Sequence, residues 1–251
     1  MKIRAIILKQ IIALFLLIFI FSCSDTVEYT EDDNNSSTST TTGLIRFIHA
    51  ASSIENLVLD YRDLDTDSYQ AFLNNPEYGY QYGYYSFRTG AREFVAYLPN
   101  TSIKIALANF DLEEDKEYSI IAYDYDATIN PGLLVLEDTL SSPDSAFAFV
   151  RFLHLASDVG TVEIEDMDYV QVLVELDHNE YSNYLTLPAR TYFLIVRVQP
   201  SDQVLLYRVR ATFLSGVTYT VILSGSMDGM TPVDFNMKVH QDLSIKYITV
   251  D

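Results

Sequence analysis

A seven-residue motif that occurs twice constrains the fold of this chain more than any other feature of its sequence. Residues 46–52 read RFIHAAS, and residues 151–157 read RFLHLAS, 105 positions later. Two further matches follow in the same order: 87–91 (FRTGA) with 187–191 (LPART), and 117–121 (EYSII) with 218–222 (TYTVI). A nearly constant offset indicates a tandem duplication, and a unit of about 100 residues has the size of a domain rather than of a solenoid repeat.

Within each copy, short segments rich in β-branched and aromatic residues are separated by turn residues such as those at 74–76 (NNP) and 130–132 (NPG). Beyond the N-terminal apolar run, no segment of ten or more residues keeps a helical period. We therefore predict an all-β fold with two tandem immunoglobulin-like β-sandwich domains, at residues 43–141 and 142–251.

The N-terminus has the layout of a bacterial lipoprotein signal peptide. Three basic residues precede an uninterrupted apolar run at 11–21, which is shorter than the roughly 20 residues that a helix needs to cross a bilayer. Residues 20–23 (IFSC) resemble the lipobox, in which the cysteine receives lipid and becomes the mature N-terminus. We predict a signal peptide at 1–22 and lipidation of Cys23. The alternatives are a buried free cysteine and an uncleaved membrane helix.

A polar segment separates Cys23 from the first sandwich. Residues 24–42 contain five carboxylates, no basic residue and a Ser/Thr tract, so they cannot bury enough apolar surface to offset the entropy of ordering. We predict a disordered tether at 23–42. Its acidic start resembles the surface-export signal of Bacteroidetes lipoproteins, although an acidic tether can also be merely solvated. The predicted location is the outer membrane, with the body exposed at the cell surface or, otherwise, in the periplasm.

Charge and cysteine content exclude several function classes. The chain carries 35 acidic against 16 basic side chains, a formal net charge of −19. Nucleic-acid binding requires clustered Lys and Arg that release counterions from phosphates, so it is not expected here. A single cysteine excludes intramolecular disulfides and thiolate metal clusters.

The repeated motifs resemble a family of bacterial envelope modules known as domain of unknown function 4397. The opening pattern of that family is roughly R-V-x-H-A-S-P-D-A-P, which residues 46–52 and 151–158 follow without its prolines, and residues 187–189 follow its later L-P-A element. The resemblance covers residues 43 to 225. It implies a sandwich fold and an envelope location, and it implies no reaction, because the family has no established activity.

The repeat motif itself supplies the first candidate residues. An enzyme seldom needs the same histidine once per tandem copy, whereas a fold can, so we interpret these residues as structural. Each imidazole is expected to be partly buried and bonded to a turn backbone, with the nearby serine contributing. A catalytic or metal-binding role is the alternative. The residues are Arg46, His49 and Ser52 in the first copy and Arg151, His154 and Ser157 in the second.

Three aspartates that alternate along the chain suggest a cation site. Asp63, Asp65 and Asp67 could converge in a loop, and hard carboxylate oxygens suit Ca²⁺. However, Ser68 and Asn74 stand where an EF-hand loop requires Gly and Glu. A solvated acidic loop is therefore the main interpretation, calcium is the alternative, and no other cofactor is expected.

Four tyrosines at alternate positions are the candidate ligand-binding residues. Tyr78, Tyr80, Tyr82 and Tyr84 would share one face of a strand. If exposed, they form a stacking and hydrogen-bonding platform for a glycan or a protein. If buried, they belong to the core.

The sequence as a whole predicts a protein that is not an enzyme. No zinc-protease pattern is present. Residues 224–229 superficially resemble a nucleophile elbow, but Met227 stands where that motif requires serine. We expect a lipid-anchored envelope protein that binds a protein or glycan partner. One alternative is a structural subunit that pairs its C-terminal strand (243–250) with a neighbouring sheet edge, and another is an envelope hydrolase.

Overall fold

The computed structural model describes residues 41–66, 68–126, 130–138, 146–229 and 231–242, together with the backbone of 248–249. The predicted signal peptide, Cys23 and nearly all of the predicted tether lie outside the described residues. So does the predicted domain boundary at 141/142.

Every regular element of the described residues is a β-strand, as the alternation of the sequence predicts. Across these ranges, no helix combines the length and apolar character that crossing a membrane requires. The strands of the first half are β1 (Thr42–His49), β2 (Asn56–Asp63), β3 (Gln70–Glu77), β4 (Gln81–Arg88), β5 (Gly90–Tyr97), β6 (Lys104–Leu112), β7 (Glu117–Asp124) and β8 (Pro131–Asp138). Those that follow are β9 (Phe147–His154), β10 (Val162–Asp166), β11 (Gln171–Leu176), β12 (Leu185–Pro188), β13 (Thr191–Val198), β14 (Gln203–Thr212), β15 (Thr218–Ser224), β16 (Asn236–Gln241) and β17 (Ile248–Thr249).

The strands form four sheets whose order is the same in both halves. Sheet A has the order β17-β4-β1-β7-β8 and sheet B the order β3-β2-β5-β6. Sheet C has the order β12-β9-β15-β16 and sheet D the order β11-β10-β13-β14. Apart from β17, each strand of the first half therefore has its counterpart eight strands later. The prediction of an all-β chain with two sandwiches is confirmed.

The repeated motif lies on the central strand of each half. β1 pairs with β7 in parallel and with β4 antiparallel, and β9 pairs in the same way with β15 and β12. The matching segments 117–121 and 218–222 are therefore the parallel neighbours of the two motif strands. This pairing explains why these segments were the clearest repeats in the sequence.

Three apolar clusters hold the four sheets together. Sheets A and B enclose a core around Phe47, Phe94 and Ile120, and sheets C and D enclose one around Phe152, Leu194 and Val221. The third cluster contains Ile48, Ile121 and Leu136 from the first half and Leu153, Leu155 and Ile222 from the second. Sheets A and C therefore pack against each other. We call this contact the seam.

The two middle sheets are buried on both faces as a result. β7 and β15 are buried along almost their whole length, which is why they lack an alternation of apolar and charged residues.

One predicted turn is part of a strand. Residues 74–76 lie within β3, although their turn chemistry has a local effect, because Asn75 adopts a φ of 57° and the pairing with β2 shifts register beside it.

Candidate functional site

A buried cluster of charged and hydroxyl side chains lies in the seam and has the same composition on both sides. The first half contributes Arg46, Tyr84, Ser119 and Asp138, and the second half contributes Arg151, Tyr184, Thr220 and Asp242. Each arginine is on a motif strand, and Ser119 and Thr220 are on the strands that pair with it in parallel. We call this set the seam network.

Arg46 links the two halves. Its Nε donates to Ser119 Oγ at 2.6 Å within its own half, and its Nη2 donates to Thr220 Oγ1 at 3.1 Å in the other. Its Nη1 lies 2.6 Å from Asp242 Oδ1, and its Nε lies 3.3 Å from Asp138 Oδ2. Burial alone would lower the pKa of Arg46, but the two carboxylates reverse this effect and raise it far above its ordinary value.

Arg151, on the motif strand of the second half, makes corresponding contacts and reaches into the first half. Its Nε donates to Thr220 Oγ1 at 3.1 Å within its own half, and its Nη1 donates to the Glu137 carbonyl at 3.0 Å in the first half. Its Nη2 pairs with Asp138. Each arginine thus joins its own sheet to the opposite one.

Two tyrosines complete the network. The Tyr84 hydroxyl donates to Asp138 Oδ2 at 2.6 Å, and the Tyr184 hydroxyl donates to Asp242 Oδ2 at 3.1 Å. The ring of Tyr84 lies 5.3 Å from the guanidinium carbon of Arg46, and that of Tyr184 lies 5.0 Å from that of Arg151. Burial raises the pKa of both phenols, so both stay protonated and keep donating.

This arrangement does structural work. Arg46, Arg151 and Asp138 are each at most 3% exposed, so their charged groups are shielded from solvent. Charges taken out of water are tolerated only when they are paired and hydrogen-bonded, and the network meets that condition by sharing partners across the seam.

The two motif histidines are both fully buried, and they differ in their partners. His154 Nε2 lies 2.9 Å from the Gly160 carbonyl and 3.2 Å from the Val159 carbonyl, as the interpretation of a turn-bonded imidazole predicts. For His49 that interpretation is wrong, because neither ring nitrogen has a hydrogen-bond partner among the described residues. Burial lowers the pKa of His49 to about 4.

The rings that pack against these histidines are equivalent in the two halves. His49 meets Tyr78 edge-on at 6.1 Å between ring centroids, and His154 meets His178 edge-on at 6.0 Å. Neither histidine belongs to a group of potential metal ligands within the described residues.

In the first half the motif serine, Ser52, holds a loop, and in the second half the neighbouring Asp158 does so. Ser52 donates from its backbone N–H (2.8 Å) and from its hydroxyl (2.7 Å) to Asp124 Oδ2. In the second half the carboxylate belongs to the motif loop itself, because Asp158, next to Ser157, accepts a 2.6 Å bond from the Ser226 hydroxyl. In each half, the loop after the motif is thus joined to the region where the parallel strand ends. The motif loop supplies the donor in the first half and the acceptor in the second.

The expectation that four tyrosines share one face is wrong. A β-bulge in β4 places residues 83 and 84 opposite Arg46, since residue 82 pairs with residue 47 and residue 85 with residue 45. Tyr82 therefore packs on the core between sheets A and B, whereas Tyr84 points into the seam.

The other two tyrosines precede β4. The Tyr78 hydroxyl hydrogen-bonds Ser224 Oγ at 2.8 Å across the seam. Tyr80, with 59% of its surface exposed, is the member of the row that is free to contact a partner. A ligand-binding platform of all four tyrosines is therefore excluded, and binding through Tyr80 stays a prediction.

The aspartate row does not form an open carboxylate cluster. Asp63 is ion-paired with Arg92, and the surface pocket that Asp63 and Asp65 line is also lined by Arg88. Asp67 lies outside the described residues. Among the described residues, no group of three or more acidic, histidine or cysteine side chains could hold a metal ion, and calcium binding stays a prediction.

Sequence reasoning missed the acidic half of the seam network. Asp138 is the last residue of the edge strand β8, and Asp242 directly follows the edge strand β16. Neither aspartate belongs to a motif that repeats visibly. The segments that contain them, LVLED at 134–138 and KVHQD at 238–242, are equivalent but share only the final aspartate.

Two surface grooves lie beside the seam. The first, of about 330 Å³, is bordered by Ser52, Ile54 and Tyr78 from one half and by Pro232 and Val233 from the other. The second, of about 310 Å³, lies between β8 (residues 135–137) and the segment 181–184, with Arg151 beneath it. Tyr181, 50% exposed, borders the second groove.

Residues 60–165 match the model of a family described as domain of unknown function DUF4397. The match begins in β2 of the first sandwich and ends in β10 of the second, so it includes the second motif strand, β9, but not the first, β1. No functionally curated protein is detectably similar to the chain in sequence.

Solved structures with related architecture are distant. The chain is similar over 78% of its length to the Bacillus anthracis TIE protein, of which it spans about a third (34%), with 8% identity and a TM-score of 0.25. It is also similar to a "putative cell adhesion protein" from Bacteroides uniformis (13% identity, 82% of this chain, 99% of that one, TM-score 0.24). A third similar structure is the tip fimbrial protein Mfa3 from Porphyromonas gingivalis (8% identity, 80% and 99% coverage, TM-score 0.22). At these TM-scores no functional assignment follows from the likeness.

Proposed function

We propose that this protein is a non-catalytic, lipid-anchored binding protein of the bacterial cell envelope that recognises a protein or glycan partner beside its seam. One observation supports this proposal above the others. The duplicated residues that looked like candidates for chemistry are enclosed in the seam and the cores, while large aromatic side chains remain exposed next to the seam.

Those aromatic side chains are Tyr80, Tyr125 and Tyr181, which expose 59%, 56% and 50% of their surface. Tyr125 directly follows β7, and its carbonyl accepts a 2.9 Å hydrogen bond from the side chain of Asn179 in the other half. Tyrosine offers a broad apolar ring and a hydroxyl at little cost in side-chain entropy, which is why it is enriched at recognition surfaces.

The binding role is tested with the mature chain on arrays of glycans and of envelope proteins. Tyr80→Ala, Tyr125→Ala and Tyr181→Ala are expected to reduce binding. Tyr207→Ala is the matched control, because Tyr207 is 66% exposed but lies on β14 of the outer sheet D. Equal losses in the control, or no loss in any seam variant, would contradict the proposed surface.

The anchor is tested separately. Wild-type cells are treated with protease and compared with a Cys23→Ala strain, and the mature N-terminus is analysed by mass spectrometry. A lipidated Cys23 and cleavage of the protein on intact cells are expected. A bare thiol with an uncleaved leader would contradict the anchor, and protection from protease would place the protein in the periplasm.

A structural subunit remains the second candidate, and the position of β17 favours it. β17 pairs in parallel with β4 at the edge of sheet A, with Ile248 opposite Tyr85 and Thr249 opposite Ser86. An edge that accepts the chain's own C-terminal strand can accept the same strand of another copy. Light scattering at rising concentration, with and without residues 243–251, tests this: a monomer under all conditions would contradict it.

A further inference from the structure

We propose that the groove between β8 and residues 181–184, beside Tyr181, binds a neutral saccharide, an inference that rests on the proposed binding function and names its ligand class. The two sides of the seam differ here, because the side chain of Gln81 bridges the equivalent position on the other side.

The equivalence of the two positions follows from shared backbone hydrogen bonds. The N–H of His49 donates to the Tyr80 carbonyl, and that of His154 donates to the Glu180 carbonyl. Gln81 therefore occupies the position in the first half that Tyr181 occupies in the second.

In the first half, a side chain closes the gap. Gln81 Nε2 donates to the carbonyl of Gln241 on the edge strand β16 at 2.7 Å. At the second groove, the equivalent carbonyl is that of Glu137 on β8, the edge strand of the first half, and it receives its hydrogen bond from Arg151 of the second half at 3.0 Å. Because Arg151 satisfies this carbonyl from beneath, residue 181 is not needed to close the groove, and Tyr181 is left half exposed above it.

The charges around this groove indicate what it can bind. The guanidinium of Arg151 is occupied by Asp138, Thr220 and the Glu137 carbonyl. The Glu137 carboxylate is paired with Lys116, Nζ to Oε1, at 2.5 Å. Among the described residues that line the groove, both charged side chains are paired, and the chain carries a net charge of −19, so an anionic ligand is disfavoured and a cationic one has no dedicated partner among them.

The remaining lining suits a neutral polyol. Tyr181 offers an exposed ring on which the C–H face of a sugar can stack, and Asn183, which is exposed, offers an amide for sugar hydroxyls. A volume of about 310 Å³ is at the small end of the range for ligand pockets, about 300–1,000 Å³, which fits a mono- or disaccharide unit. An extended peptide fits less well, because the Glu137 carbonyl that it would pair with is already bonded to Arg151.

The test uses the mature chain and three neutral disaccharides, maltose, lactose and chitobiose, with binding measured by saturation-transfer NMR and calorimetry. At least one disaccharide is expected to bind. Tyr181→Ala is expected to weaken that binding about tenfold, through loss of the stacking ring. Tyr181→Gln is expected to weaken it about as much, because glutamine, the residue at the equivalent position 81, also lacks the stacking ring.

The control is Tyr207→Ala, which removes a similarly exposed tyrosine from β14 on the outer sheet D, and it should leave affinity for the disaccharide unchanged. If Tyr207→Ala weakens disaccharide binding as much as Tyr181→Ala, or if binding protects the β8 backbone amides as an added strand would, the saccharide groove is wrong while the binding function stands. If no disaccharide binds but a protein partner is still captured through the seam tyrosines, the groove assignment is again overturned. If neither is bound, both proposals fail.

Discussion

The two sandwiches share a strand order but differ in what fills them. The first core is rich in aromatic residues: Tyr61, Phe72, Phe87 and Phe94 meet one another at 5.0–6.3 Å between ring centroids. The second core is mostly aliphatic, with Leu, Ile and Val around Tyr192 and Phe213. Residues that face the seam, in contrast, keep their chemistry in both halves. The comparison teaches that a sheet pair accepts different interiors as long as volume and pattern are kept, whereas the contact between the halves requires particular side chains.

The seam network is nonetheless not fully symmetric. Asp138 receives Arg46, Arg151, Ser119 and Tyr84, whereas Asp242 receives Arg46, Thr220 and Tyr184. Among the described residues, the carboxylate of the first half is therefore ion-paired with two arginines and that of the second half with one. Stability should depend on the two aspartates unequally.

The largest expected effect comes from breaking that asymmetry. Asp138→Asn leaves the buried Arg151 without a carboxylate partner and Arg46 with one of its two, so it should lower the free energy of unfolding by about 5 kcal/mol; Asp242→Asn leaves both arginines beside Asp138 and should lower it by about 3 kcal/mol. Chemical denaturation measures both values, and hydrogen exchange should show the two halves losing protection together. Equal losses for the two variants, or a wild-type chain that unfolds in two separate steps, would contradict a seam that joins the halves.

The histidines should give a smaller effect, and one that depends on pH. The pKa of His49 is about 4 in the folded chain and about 6.5 when unfolded. Between these values the unfolded chain binds a proton that the folded chain does not, so stability is fully present above pH 6.5 and is lost as pH falls towards 4. The loss through His49 should be about 2 kcal/mol between pH 6.5 and 5. His49→Leu should flatten the stability profile in this window.

The control for His49 is its counterpart. His154→Leu removes a ring that bonds to the Gly160 carbonyl, so it should lower stability at neutral pH as well, which His49→Leu should not. Some acid dependence should remain in both variants, because burial, followed by the charge of Arg46, also lowers the pKa of His240 to about 3. An unchanged profile in His49→Leu would show that this histidine is not held neutral by the fold.

The sequence was sufficient to predict the strands and the duplication, because both depend on local patterns. Period-two alternation and turn residues report pairing geometry directly, and residues 46–52 and 151–157 have the same role on equivalent strands. The sequence also indicated that the repeated histidines were buried. It could not show that His49 lacks a partner, because that depends on how the loop after Ser52 is held by Asp124, more than seventy residues away.

The prediction that the four tyrosines share one face was wrong for a physical reason that the alternation of residues along a strand does not reveal. One extra residue at the bulge in β4 reverses the face of every side chain beyond it. Gly83, at the bulge, was the available signal, since a glycine inside a strand often marks one. The seam was also beyond prediction from sequence, because Arg46 pairs with Asp242 at a separation that no local motif spans.

The smallest expected effect concerns the outer faces, where the two halves carry one charge pair with opposite polarity. In sheet B the arginine is on β2 and the glutamate on β5 (Arg62 to Glu93, 2.8 Å), whereas in sheet D the glutamate is on β10 and the arginine on β13 (Glu165 to Arg197, 3.1 Å). Arg62, Glu165 and Arg197 are partly exposed, although Glu93 is buried, so double-mutant cycles should give coupling energies below about 1 kcal/mol for each pair. If the sheet tolerates either orientation of the ion pair, the double variant Arg62→Glu/Glu93→Arg should recover most of the free energy of unfolding that either single variant loses. A coupling energy well above 1 kcal/mol in sheet B, together with a double variant that stays destabilised, would mean that the outer faces require particular side chains, as the seam does. Tyr69→Phe is the control for that outcome, because the Tyr69 hydroxyl also bonds to Glu93.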